Sequence, residues 1–262
     1  MQISQIKFEP YQARNDEDLQ ARIVAAKQKL GKKLVILGHH YQQEGVYRHA
    51  DFTGDSLKLS RFAAETDAEY IVFLGVHFMA EVADILSRPE QISILPDLSA
   101  GCSMADMATA AQVDQCWSEL SAMGFAEKTI PVTYMNSSAA IKSFTGENGG
   151  TICTSSNAEK SLRWAFSKGE KVLFLPDQHL GRNTAVELLG LSLSDCVVWN
   201  PWKVNGGLTR EEIERAKMIL WRGHCSVHGR FKRETIDEFR TKVPGIQIIV
   251  HPECQHEVDR KS

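Results

Sequence analysis

Residues 92–106 read ISILPDLSAGCSMAD, and the interpretation of this stretch decides the fold. It opens as a short apolar run, the pattern of a buried strand. Pro96 and Asp97 stop the strand, Gly101 supplies a turn, and Cys102 follows just beyond, beside an expected helix start. The phrase returns at residues 172–182 as VLFLPDQHLGR, with the same apolar run into Leu-Pro-Asp. A repeated unit is the expectation, with reactive side chains placed where strands give out.

Working outward, residues 1–31 read as an irregular lead-in and a helix capped by Asn15. The acidic run Asp16-Glu17-Asp18 suits that helix's N-terminus, Leu19, Ile23, Ala26 and Leu30 form its apolar face, and Gly31 ends it. Residues 32–104 form a first unit, with strands at 33–38, 70–75 and 92–95. Its helices include one in which Leu59, Phe62, Ala63 and Thr66 share a face, and one over 79–86. Residues 105–190 repeat the pattern, with a helix over 105–124, a strand at 130–135, a short helix at 139–144, and strands at 151–154 and 172–175. Residues 191–262 start a third unit with a strand from Asp195 to Trp199. There Thr209 and Glu212 form a capping box, and Ile213, Ala216 and Leu220 face inward from the helix that follows. Residues 221–228 read as a loop, Ile236, Phe239 and Val243 as a helix face, and residues 246–250 as a final strand. By its own repeat logic this third unit is incomplete. Alternating strands and helices imply an α/β fold of parallel sheets covered by helices on both faces.

With 30 basic and 33 acidic residues the net charge is −3, which argues against a nucleic-acid binder relying on bulk positive charge. No apolar run nears the roughly 20 residues of a membrane helix, and the N-terminus lacks a signal-peptide layout. A soluble, cytoplasmic protein is the expectation. None of the six cysteines (Cys102, Cys116, Cys153, Cys196, Cys225, Cys254) forms a CxxC pair, so a disulfide framework is not expected in a reducing compartment.

In parallel sheets, ligands bind beyond the carboxyl ends of the strands. That rule selects His39, Tyr41, His77, Cys102, Tyr134, Asn136, Ser155 and Asp177, with the trio His251, Glu253 and Cys254. Three such points run directly into helices, at Asp55-Ser56, Asn136-Ser137 and Ser155-Ser156. Hydroxyls beside free helix N–H groups favour a small anionic ligand carrying carboxylate or phosphate, although each can equally serve as an ordinary N-cap. For metals, neither CxxC nor HExxH is present, so a structural zinc site is weakly supported. Single cysteines from separate units can still converge on an iron–sulfur cluster whose fourth iron stays open, but spacing alone does not select this.

Taken together the phrases LGHHYQ (37–42), ADFTGDSLKLSR (50–61), GVHFMAE (75–81), LPDLSAGCSMADMA (95–108), VTYMNSSAAIK (132–142), CTSSNA (153–158), FLPDQHLGRN (174–183), GHCSVH (223–228) and VHPEC (250–254) resemble the quinolinate synthase family. The resemblance implies an NAD-biosynthesis enzyme condensing iminosuccinate with dihydroxyacetone phosphate to quinolinate, with L-aspartate oxidase as a source of iminosuccinate. It also implies three αβα units around a pseudo-threefold axis and a [4Fe–4S] cluster held by three cysteines. Cys102 and Cys225 match two of these; the third lies in a segment that the family continues into past VHPEC. His39, Ser56, Tyr134, Asn136, Ser155, His251 and Glu253 match substrate-binding positions. Tyr41, His228 and Glu253 match active-site positions, with Glu253 as general base and His228 as proton shuttle. Cys116, Cys153, Cys196 and Cys254 match no ligand position and are expected to be small buried hydrophobes. Gly229 replaces the family's usual acidic residue. Lacking the third cysteine, the chain is expected to be a fragment of impaired activity. Two other classes remain open: a non-catalytic dicarboxylate- or phosphate-binding protein, and a mononuclear metal hydrolase using Cys225, His228, His251 and Glu253.

Overall fold

The computed structural model describes residues 7–259, in two compact units divided after Cys102. In the first unit, helices α1 (Glu9–Gln12) and α2 (Asp16–Leu30) precede strand β1 (Leu34–His39). Helix α3 (Glu44–Tyr47), strand β2 (Phe52–Gly54), helix α4 (Ser56–Glu65), strand β3 (Tyr70–Leu74), helix α5 (His77–Leu86) and strand β4 (Ile92–Ile94) follow. The sheet order is β2-β1-β3-β4, and every pairing is parallel. Asn15 caps α2 by accepting from the Asp18 N–H, and Gly31 terminates it at a φ of 52°. The expected apolar face of α2 is not buried: no residue of that helix is, and Ile23 and Val24 stand exposed. Strand β2 falls within a segment to which the sequence reading assigns no strand. It is a three-residue edge strand whose glycine and exposed Phe52 give no alternation to detect.

In the second unit, helix α6 (Ala110–Ala122) leads to β5 (Thr129–Tyr134), then α7 (Ala139–Glu147), β6 (Thr151–Cys153), α8 (Ala158–Phe166) and β7 (Lys171–Leu175). Helix α9 (Gln178–Asn183), a π-helical turn over Thr184–Leu188, β8 (Cys196–Trp199), α10 (Arg210–Arg215), β9 (Met218–Trp221), α11 (Arg233–Lys242) and α12 (His256–Asp259) complete it. The order β6-β5-β7-β9-β8 is again wholly parallel. All five residues of β7 are buried, as a central strand covered on both faces requires. Leu173, Leu175, Ile219 and Trp221 pack with Val113, Cys116 and Leu120 of α6 in one core cluster. Pro131 is tolerated in β5 because β6 pairs with that strand only from Val132 onward.

Two further expectations change, at Leu220–Trp221 and at residues 246–250. Leu220 is not on a helix face, and Trp221 does not open a loop: both belong to β9. The helix stops at Arg215 because buried Lys171 donates from Nζ to the Glu214 and Ala216 carbonyls, satisfying its C-terminal acceptors. Strands β8 and β9 join β5–β7 in one sheet, so the described residues form two parallel sheets. Residues 246–250 form no strand; Ile249 is 91% exposed, and the run, although apolar, pairs with neither sheet.

Candidate active site

Each unit carries part of the sequence-selected constellation at the carboxyl ends of its strands. In the first, His39 closes β1 and its ring stacks on Tyr41 at 4.0 Å. His39 Nδ1 is buried without a partner. Burial, and secondarily His40, push its pKa down to about 4, so the ring is neutral at pH 7. The Tyr41 hydroxyl donates toward the Met79 sulfur at 3.7 Å. Desolvation at that end, then the Cys102 sulfur, push its pKa up to about 12. Cys102 is half-buried. The turn before it is fixed by Asp97, which accepts from both the N–H and the hydroxyl of Ser99, and by the His77 N–H, which donates to the Ala100 carbonyl.

Helix capping falls to residues other than the serines and asparagine singled out above. Asp55 caps α4, Ser138 caps α7 and Asp177 caps α9. Ser56 is the first residue of α4, Asn136 is half-buried just beyond β5, and Ser155 lies in the turn ahead of α8. None of the three is the residue that caps its helix.

In the second unit a tighter group forms. Tyr134, the last residue of β5, hydrogen-bonds through its hydroxyl with both Glu253 and Ser155. Burial, followed by the Glu253 charge, pushes that phenol far up, so it stays protonated. The buried Glu253 carboxylate lies 3.5 Å from His228 Nε2 and 3.9 Å from His251 Nδ1. The His228 and His251 rings stack at 4.6 Å, and Cys254 Sγ sits 3.6 Å from His228 Nδ1. Ligand atoms of Cys225, His228 and Glu253 fall within 4.8 Å of one another. Cys225 follows β9 on the loop entered at Gly223, and its sulfur accepts from the backbone N–H groups of His228 and Val227. Those bonds favour a thiolate, although burial outweighs them and raises the thiol. His251 is pushed down, by burial first.

Cys116, Cys153 and Cys254 are buried as expected, whereas Cys196 is half-buried. Three residues of the phrase FLPDQHLGRN pack at this site: Asp177, which the strand-end rule selected, and His179 and Asn183, which were given no role. Asp177 is fully buried, and its pKa is pushed up to about 8 by burial and secondarily by Glu253, against N–H bonds from Leu180 and His179. His179 is pushed down to about 4 by burial. Asn183 bonds to the 252–256 segment. Their placement just after the LPD of β7 was the available signal.

Among the described residues no helix is long and apolar enough to cross a membrane. Residues 21–262 match the family described as "Quinolinate synthetase A protein". The chain is 65% identical over 245 residues to the quinolinate synthase of Streptomyces coelicolor, covering 93% of this chain and 62% of that protein. It is 60% identical over 255 residues to that of a Nocardioides species, covering 95% and 65%. With the quinolinate synthase of Bacillus pumilus the identity is 52% over 251 residues, covering 95% and 67%. The chain thus spans slightly less than two thirds of the length of the first two relatives. On this evidence the chain belongs to the quinolinate synthetase A family.

Proposed function

We propose that this chain carries base and substrate-holding machinery for quinolinate synthesis from iminosuccinate and dihydroxyacetone phosphate. The observation that carries the reading is the buried Glu253 carboxylate, held between the Tyr134 hydroxyl and His228 at strand ends. Glu253 takes the proton lost in ring closure and dehydration, and His228, 3.5 Å away, passes it outward. Tyr134, kept protonated, orients Glu253 together with Ser155. Neutral His39 donates a ring N–H to a substrate carboxylate, and Ser56, Asn136 and His251 supply further polar contacts. Tyr41, whose hydroxyl also stays protonated, is a donor near Cys102.

The proposed cofactor is a [4Fe–4S] cluster. Cys225, half-buried with two N–H groups on its sulfur, suits a cluster thiolate, and half-buried Cys102 is the second ligand. When bound, such a cluster supplies a Lewis-acidic iron. The three-unit pseudo-threefold arrangement, with residues 32–104, 105–190 and 191–262 as its parts, belongs to this same reading, as does a supply of iminosuccinate by L-aspartate oxidase.

The test is quinolinate formation by the reconstituted protein. Glu253→Gln is expected to lower kcat by about 10²–10⁴-fold with little change in KM. An unchanged kcat would remove Glu253 from the reaction. A second reading rests on one observation: Cys225, His228 and Glu253 are close enough to hold a single metal ion. One tightly bound zinc per chain, without sulfide, would favour that mononuclear site.

A further inference from the structure

We propose that Asn183 is the positioning residue that sets Glu253, a role that rests on the reading of Glu253 given above. Asn183 is the last residue of α9, where the chain enters the π-helical turn, and it is 2% exposed. All three polar bonds of its carboxamide reach one short segment. Nδ2 donates to the Pro252 carbonyl at 2.8 Å and to the Cys254 carbonyl at 2.9 Å. Oδ1 accepts from His256 Nδ1 at 2.8 Å. The two carbonyls need a two-donor group, which fixes the amide orientation and requires His256 to carry its proton on Nδ1. Glu187, one turn further along, lies 3.8 Å from His256 Nε2.

The carbonyls that Asn183 holds belong to the residues on either side of Glu253. The segment is closed on itself, by Cys254 N–H donating to the His251 carbonyl and Glu253 N–H donating to His251 Nδ1. Those bonds shape the turn but do not anchor it to the sheet. The preceding stretch is irregular, with Val243, Ile246 and Ile249 exposed, and its support is apolar, from Ile248 and Val250 packed on the cluster of Ile236, Cys254 and Val258. Cys254 and Val258 pack with Ile236, but apolar contact is non-directional and permits sliding. A buried amide with three directed bonds does not, because shifting it leaves polar groups unpaired. Asn183 therefore places Glu253 against Tyr134 and His228 without touching substrate itself.

The test uses Asn183→Ala and Asn183→Asp in the whole chain. Asn183→Asp keeps the acceptor for His256 and removes both donors. Two readouts are taken that do not depend on activity: alkylation of Cys254 by iodoacetamide, and the ¹³Cζ NMR signal of Tyr134, assigned with Tyr134→Phe. In at least one of the two variants Cys254 is expected to react about tenfold faster or more, while buried Cys116 and Cys153 stay protected. In that variant the Tyr134 signal should move toward an unbonded phenol while the other four tyrosine signals stay in place. An unmoved Tyr134 signal with Cys254 still protected in both variants would overturn the proposal. So would loss of protection at all three buried cysteines together in both, which would make Asn183 merely structural. If the expected shifts occur but Glu253→Gln leaves quinolinate formation unchanged, the positioning stands and the reading of Glu253 fails.

Discussion

Asp97 and Asp177 end the same tripeptide in different surroundings. Asp97 is half-buried, and its pKa is lowered by the Ser99 hydroxyl and N–H. Asp177 is fully buried, its Oδ2 has no partner, and its pKa rises to about 8. A carboxyl that holds its proton more tightly when folded contributes stability that is complete below the unfolded pKa of about 3.9 and lost as pH rises toward 8. His179 has the opposite sign: its folded pKa of about 4 makes stability fall as pH drops below about 6.5. The two offset each other between pH 4 and 6.5, so the Asp177 slope emerges above that, at up to about 1.4 kcal/mol per pH unit. Asp177→Asn keeps the acceptor that caps α9 and removes the titration. Urea unfolding from pH 6.5 to 8 should show stability falling in the parent and a flatter profile in the variant; superimposable profiles would show that Asp177 is ionised in the folded chain.

Gly223 stands two residues past the end of β9, where the strand gives way to the loop. A methyl group there would lie 1.8 Å from the Pro176 carbonyl oxygen, a backbone atom that cannot swing aside. Gly223→Ala must displace the loop carrying Cys225 and is expected to cost about 1–3 kcal/mol by urea unfolding. Gly229, six residues later in helical turn geometry, would meet nothing, so Gly229→Ala should stay within about 0.5 kcal/mol. Equal effects at the two positions would mean that the close approach at Pro176 is relieved at no cost. The same region shows where sequence reading stops. Ile213, Ala216 and Leu220 have helical spacing, but β9 is a central parallel strand buried on both faces, which erases the alternation that marks a strand. The converse occurs at 246–250, where an apolar β-branched run has the right composition and no sheet partner. By contrast β1, β3, β5 and β7 were legible because their apolar runs are bounded by clear turn and cap residues.

At the scale of the molecule, the strand-end rule named several residues that lie near one another within a unit, whereas Cys225 and His228 entered only through the family resemblance. His39, Tyr41 and Cys102 gather in the first unit, and Tyr134, Ser155, Cys225, His228, His251 and Glu253 in the second. Asn183 escaped because an asparagine inside a helical phrase has no sequence mark that separates a surface residue from a buried anchor. The proposed cluster thiolates are a different matter, since nothing in the sequence around Cys102 or Cys225 distinguishes a ligand from a half-buried thiol such as Cys196. Variants decide this directly. After anaerobic reconstitution, iron and acid-labile sulfide approaching about four of each per chain should be lost in Cys102→Ser and in Cys225→Ser, and retained in Cys196→Ser. Loss in Cys225→Ser alone, with zinc bound and no sulfide, would replace the cluster by the single-ion site of Cys225, His228 and Glu253. Retention in both would assign the iron to other groups, and dicarboxylate binding to iron-free protein would then favour a non-catalytic anion-binding role.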